Sequence, residues 1–121
     1  MPNWCHNRVR FTGTTEDITN LMEFVQDRDG EHFSFDSIIP IPEENHTNWY
    51  DWSVANWGTK WNVSEVDMIT NEHDSVVTYY FDTAWNPPTP IYNVLKEKYP
   101  EVYISWFYDE PGMEFSGYLP N

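Results

Sequence analysis

The sequence predicts a single α+β domain in which two helices cover one face of an antiparallel sheet. The length of 121 residues fits one hydrophobic core. Two segments with helical spacing of apolar residues lie among segments of alternating polarity. Prolines separate these segments, and no Ser/Gly-rich linker divides the chain. Residues 1–121 are therefore expected to form one domain.

The first two elements are predicted to be a strand and a helix. Polar and apolar residues alternate from Trp4 to Phe11, which is typical of a half-buried strand. Alternate residues of a strand share a face, so one side is expected to carry Trp4, His6, Arg8 and Arg10. Thr14 and Thr15 supply a hydroxyl N-cap for a helix whose apolar stripe ends near Gln26.

The middle of the chain is predicted to contain an insertion and two further strands. Residues 33–42 read as extended, and their prolines favour an edge strand or a loop. Residues 43–58 read as a short Trp-rich helix that ends at Gly58. Residues 61–69 and 75–85 are expected to be antiparallel strands joined by the polar turn 71–74.

The last third is predicted to add a helix and a hairpin. Thr89 is expected to cap a helix with Pro90 at its first position, and Pro100 ends it. Residues 102–108 form a strand, and the turn at 110–112 returns residues 113–118 as an edge strand. The order β-α-insertion-β-β-α-β matches the split βαβ, ferredoxin-like plan, which leaves the second sheet face open.

Three separated motifs resemble one known family over nearly the whole chain. They are residues 2–7 (PNWCHN), 57–61 (WGTKW) and 83–88 (TAWNPP). Together they are similar to the YubB-like proteins of bacteriophages and plasmids, which contain a ferredoxin-like domain. The resemblance implies this fold and an origin on a mobile genetic element. It implies no catalytic residue.

Composition excludes several classes of function. Six Lys and Arg against 20 Asp and Glu give a formal charge of −14, which opposes non-specific electrostatic binding to nucleic acid or anionic membranes. The single cysteine, Cys5, forms no internal disulfide, and no hydrophobic run reaches membrane-spanning length, so we expect a cytoplasmic protein. His32, His46 and His73 lack metal-ligand spacing, and Cys5 and His6 are predicted on opposite faces. No catalytic residue, metal or cofactor is therefore expected.

Five tryptophans around the insertion admit two interpretations. Trp49, Trp52, Trp57, Trp61 and Trp85 either fasten the insertion to the domain or form an interface or ligand pocket. Lys60 either lies over a ring of this group or points at an anionic ligand, and we favour the first role.

Arg8 and Arg10 form a small basic stripe that also admits two interpretations. They either pair with acids such as Asp82 or Glu65 on neighbouring strands, or they bind a nucleotide-like anion. The second interpretation gives a small-ligand binding domain whose site contains Arg8, Arg10, Trp57, Lys60 and Trp85.

The charge and the family resemblance favour a different function. We expect a non-enzymatic inhibitor that binds a host defence nuclease, such as a CRISPR effector or restriction enzyme, and competes with nucleic acid. Its expected contact residues are Glu43, Glu44, Asp51, Asp109 and Glu110. An assembly protein that pairs through its terminal edge strand is a third alternative. Both a monomer and a dimer agree with the sequence.

Overall fold

The computed structural model describes residues 3–45 and 47–120, and this part of the chain contains five strands and four α-helices. The strands are β1 (Trp4–Thr12), β2 (Asp67–Thr70), β3 (Val76–Ala84), β4 (Tyr103–Glu110) and β5 (Phe115–Leu119). The helices are α1 (Thr15–Val25), α2 (Phe35–Ile38), α3 (Trp49–Trp57) and α4 (Thr89–Lys98). His46, one of the histidines considered above, lies outside the described residues, as do residues 1, 2 and 121.

The strands form one antiparallel sheet in the order β2-β3-β1-β4-β5. The central strand β1 pairs with β3 on one side and with β4 on the other. The first four strands thus have the order and directions of a ferredoxin-like split βαβ fold, and β5 extends the sheet beside β4. The predicted fold class is confirmed, including the terminal hairpin strand.

Local signals explain the elements that form the core. β1 alternates strictly between exposed and buried residues, and the hydroxyl of Thr14 accepts a hydrogen bond from the Asp17 amide at the start of α1. The apolar sides of α1 and α4 join the buried face of the sheet in one cluster. Phe33 lies at its centre, with ring centroids 5.0 Å from Tyr79 and 5.1 Å from Phe81.

Two expectations about the middle of the chain are wrong. Residues 35–38 are not extended but form the short helix α2, because the Ser34 hydroxyl accepts from the Ser37 amide and caps it. The strand expected over 61–69 is reduced to β2, since residues 61–66 form no ladder and Glu65 has a φ of 54°, outside the strand region.

The remaining helix boundaries are close to expectation. The Trp-rich helix is confirmed as α3, and it ends at Gly58, whose φ of 82° is the left-handed conformation of a C-cap. The expectation that Thr89 caps α4 is wrong: the N-cap is Pro88 and no side chain caps the helix, so Thr89 is its first residue and Pro90 its second. No helix in residues 3–45 or 47–120 combines the length and apolar character needed to cross a bilayer.

Candidate binding face

The open face of the sheet presents aromatic and charged side chains from all five strands. Antiparallel partners share a face, so the exposed residues of β1 determine which neighbours lie beside them. Across the middle of the sheet the register places in one row Asp67, Tyr80, Arg8, Phe107 and Tyr118. The expectation that Trp4, His6, Arg8 and Arg10 point to the open side is confirmed.

A groove of about 830 Å³ lies where β1 and β3 meet the segment before β2. The rings of Trp4, Trp61 and Tyr80 line it, each more than a third exposed. The Trp4 and Trp61 centroids are 6.0 Å apart, and their planes are inclined by 34°. Its charged lining residues are all acidic: Glu65, Asp67 and Asp82. The groove therefore combines aromatic surface with negative charge.

Side chains distant in sequence fix the wall of this groove. The buried Thr59 hydroxyl donates to the Ala84 carbonyl at 2.9 Å and accepts from the Ala84 amide at 3.1 Å. The side-chain oxygen Oδ1 of Asn62 accepts from the Phe35 amide at 2.7 Å. The Glu31 carboxylate accepts from the amides of residues 65 and 66, both at 3.2 Å. These hydrogen bonds take the place of a strand ladder along residues 58–66, which have no regular secondary structure.

His6 connects the groove to the rest of the open face. Its Nδ1 lies 2.6 Å from Oδ1 of Asp82, and both side chains are about half exposed. Arg8 points toward the other side of β1, with its guanidinium carbon 5.2 Å from the Phe107 centroid. The expected pairing of Arg8 or Arg10 with Asp82 or Glu65 is wrong, because the ion pairs within residues 3–45 and 47–120 join only His6 to Asp82 and His73 to Glu72.

The acids expected to contact a partner do not form one surface. Glu43 and Glu44 lie on a 3-10 turn, Asp51 lies in the first turn of α3, and all three are exposed. Asp109 is half-buried on the open sheet face, opposite His6. Glu110 is fully buried, so it cannot belong to an exposed contact surface.

The residues of the expected small-ligand site also separate. Trp57 is only 2% exposed, and its indole nitrogen donates to the Ile39 carbonyl at 2.9 Å, so it is a core residue and cannot line an open pocket. Lys60 lies 4.4 Å from the Trp61 centroid and 5.0 Å from that of Tyr50, which confirms a cation-π contact. Trp85 is exposed, yet it is not among the residues that line the groove.

The five tryptophans around the insertion divide into two groups. Trp52 and Trp57 meet edge to face at 5.5 Å, and Trp57 contacts Phe35 at 5.8 Å, so these two fasten the insertion to the core. Trp49, Trp61 and Trp85 remain exposed. The structural interpretation thus holds for Trp52 and Trp57, and an interface or ligand role for the exposed tryptophans stays a prediction.

Cys5 shows no feature of a nucleophile. It is fully buried, and burial, the largest effect, raises the pKa of its thiol to about 11. Adjacent His6 points to the opposite face of the sheet. In the described part of the chain, no group of His, Cys, Asp and Glu is arranged to hold a metal ion.

Comparison with known proteins identifies the family. The model of a family described as a ferredoxin-like domain in Api92-like protein matches residues 56–120, just over half of the chain. The chain belongs to this Api92-like family. The matched region of the Api92-like chain includes the groove wall, β3 and the hairpin of β4 and β5.

A solved structure has the same fold over almost the whole Api92-like chain. It is the crystal structure of protein Api92 from Yersinia pseudotuberculosis, with a TM-score of 0.77 and 10% sequence identity. The match covers 98% of this chain and 93% of that one. At this identity the similarity establishes the fold alone. A search of curated proteins found no match.

Sequence reasoning missed the groove of this Api92-like chain because it assigned its wall to a strand. Of its charged lining residues, Asp82 and Glu65 were named from the sequence, as partners for arginine, but Asp67 was not. The signal for Asp67 was register: a β2 that begins at residue 67 places this carboxylate beside Tyr80 on the open face.

Proposed function

We propose that the chain is a phage- or plasmid-encoded, non-enzymatic inhibitor of a host enzyme that targets nucleic acid. It acts in the host cytoplasm, where its acidic surface binds Lys and Arg side chains that otherwise hold nucleic acid. The observation that carries this proposal is that, within residues 3–45 and 47–120, no exposed carboxylate forms an ion pair with Lys or Arg.

The exposed carboxylates leave a large uncompensated field. Every Asp and Glu except Glu110 is at least partly exposed. The ion pairs among the described residues use histidine alone: His6 with Asp82 at 2.6 Å and His73 with Glu72 at 3.9 Å. Most of the negative charge behind the formal value of −14 is therefore available to a partner. A field of this kind accelerates association with a basic channel and competes with phosphates for the same side chains.

Two exposed groups of acids are available to such a channel. The insertion carries Glu43, Glu44 and Asp51, and the open sheet face carries a second group of Glu65, Asp67, Asp82 and Asp109. The similarity of three motifs to YubB-like proteins supports an origin on a mobile element, where a defence inhibitor has an evident use.

Phage plating on bacteria that carry single defence systems tests this function. We expect expression of the chain to restore plating against at least one CRISPR or restriction system, and the double variant Glu43→Lys with Glu44→Lys to weaken that protection. Glu23→Lys with Glu97→Lys is the matched control, because both residues are exposed and the change in net charge is the same. The proposal would be refuted if the chain protected against none of the nucleic-acid-targeting systems.

A nucleotide-like ligand on the open face is a second candidate function. Within the described residues neither Arg8 nor Arg10 has a carboxylate partner, so their charges are available to a small anion. Arg10 lies between Thr78 and Ser105 in the register, away from the acids of the groove. A nucleotide that binds there must raise the melting temperature, and Arg8→Ala with Arg10→Ala must abolish the rise. A rise that persists in this double variant would contradict the site.

A further inference from the structure

The groove between Trp4, Trp61 and Tyr80 has the chemistry of a receptor for a positively charged side chain. Its volume of about 830 Å³ lies within the range of small-ligand sites, roughly 300–1,000 Å³, and far exceeds what a bare ion needs. The groove is open on the sheet face, and its ring surfaces are accessible.

Charge in the groove selects the class of occupant. Its charged lining residues are Glu65, Asp67 and Asp82, and its lining includes no Lys or Arg. Within residues 3–45 and 47–120, Asp82 alone of these three forms an ion pair, with the half-exposed His6. Arg8 opposes Tyr80 in the register, but its guanidinium extends to Phe107 on the opposite side of β1. A phosphate would be repelled by these carboxylates, whereas a cation is attracted.

The arrangement of the rings favours a guanidinium over other cations. The faces of Trp and Tyr attract cations, and Lys60 already makes such a contact with Trp61 at 4.4 Å. A guanidinium is planar, stacks on aromatic faces and bonds carboxylates through two parallel N–H groups, which an ammonium cannot do. Trp4 and Trp61, 6.0 Å apart, leave no slot for a base between them, because two stacking gaps of about 3.5 Å need about 7 Å.

We infer that this groove binds an arginine side chain of a protein partner. The guanidinium stacks on the exposed rings and donates hydrogen bonds to Asp67 and to Asp82 or Glu65. The hydrogen bonds from residues 31, 59 and 62 hold the wall before the ligand arrives, so little ordering accompanies binding. The inference rests on the proposed function, since it names the partner group that the acidic surface meets.

Nuclear magnetic resonance of the indole N–H groups tests the groove without any defence enzyme. The probe is N-acetyl-arginine amide at constant ionic strength, and the matched neutral probe is N-acetyl-citrulline amide. We expect saturable shifts of the Trp4 and Trp61 indole signals with the arginine compound alone. The buried Trp57 and Trp106 indoles serve as internal references.

Two double variants test whether the groove carboxylates bind the arginine compound. Asp67→Asn with Asp82→Asn is expected to raise the dissociation constant several-fold, about two- to fivefold for each carboxylate. Glu43→Gln with Glu44→Gln removes the same charge elsewhere and is expected to leave the shifts unchanged. Equal shifts with citrulline, equal loss in both pairs, or stronger shifts with adenosine monophosphate would overturn the inference. Since no nuclease is present, failure here is distinguishable from failure of the inhibitor function.

Discussion

Asn7 is a buried polar residue, and its hydrogen bonds allow us to work out how much its replacement lowers the free energy of unfolding. Asn7 is 3% exposed in the centre of β1. Its amide nitrogen donates to the Cys5 carbonyl at 3.1 Å and to the Thr83 hydroxyl at 3.0 Å, and its oxygen accepts from the Trp106 indole at 3.0 Å. These bonds use most of the capacity of its side chain.

Asn7→Ala is expected to lower the free energy of unfolding by about 3 kcal/mol. The Trp106 indole N–H is fully buried and would lose its acceptor, at a cost of about 1–3 kcal/mol. The Thr83 hydroxyl would still donate to the Asn86 carbonyl at 2.6 Å, so its loss is smaller. With a shift of about 4 °C for each kcal/mol, the melting temperature should fall by about 12 °C.

Urea denaturation of matched variants measures this cost. Asn93→Ala is the control, because Asn93 is exposed on α4 and should change stability by less than about 0.5 kcal/mol. Combining Asn7→Leu with Trp106→Phe removes both partners, so the double variant should be less destabilised than the sum of its singles, by about 1 kcal/mol. Equal stability of the two alanine variants, or strict additivity in the cycle, would refute the reasoning.

Three further predictions concern the backbone, the thiol and the groove wall. Gly58→Ala should lower the free energy of unfolding by at least about 2 kcal/mol in denaturant, since φ is 82° and a Cβ would lie 2.8 Å from Pro90. Gly30→Ala should lower it by only about 1 kcal/mol, because φ is 98° but nothing lies within 4 Å of the added Cβ. Because the pKa of Cys5 is about 11 in the folded state against an ordinary 9.0, the unfolded thiol ionises first as pH rises. The free energy of unfolding should then fall by about 1.4 kcal/mol per pH unit between these values, and Cys5→Ala should lose that slope in pH-resolved denaturation. Glu31→Ala should speed hydrogen exchange at the amides of residues 65 and 66. Unchanged exchange would contradict the hydrogen bonds from these amides to the Glu31 carboxylate.

The parts of the fold that follow local rules were predictable from sequence. β1 follows strict alternation, α1 has the expected hydroxyl cap, and both α1 and α4 have apolar stripes close to the expected positions. The errors lie where distant side chains determine the backbone. Asn62 bonds the first residue of α2 across 27 positions, and Glu31 bonds the groove wall across 34 and 35. No local pattern reveals such bonds.

The sequence predicted which face of the sheet carries the candidate site, but not which residues line the groove. The stripe from Trp4 to Arg10 was placed on the correct face, whereas the groove beside it depends on the conformation of residues 58–66. Glu110 was assigned to the turn 110–112, but β4 extends to it, and there it has the same parity as the buried Trp106 and Tyr108. An acidic side chain was taken for an exposed one.

Competition with nucleic acid is the central claim, and fluorescence anisotropy tests it most directly. The measurement uses a defence enzyme that the plating experiment identifies, bound to labelled nucleic acid. We expect the chain to release the label, with an apparent affinity that falls as salt rises from about 50 mM to about 200 mM. A label that stays bound at saturating protein, or a release that does not depend on salt, would contradict inhibition through the acidic surface.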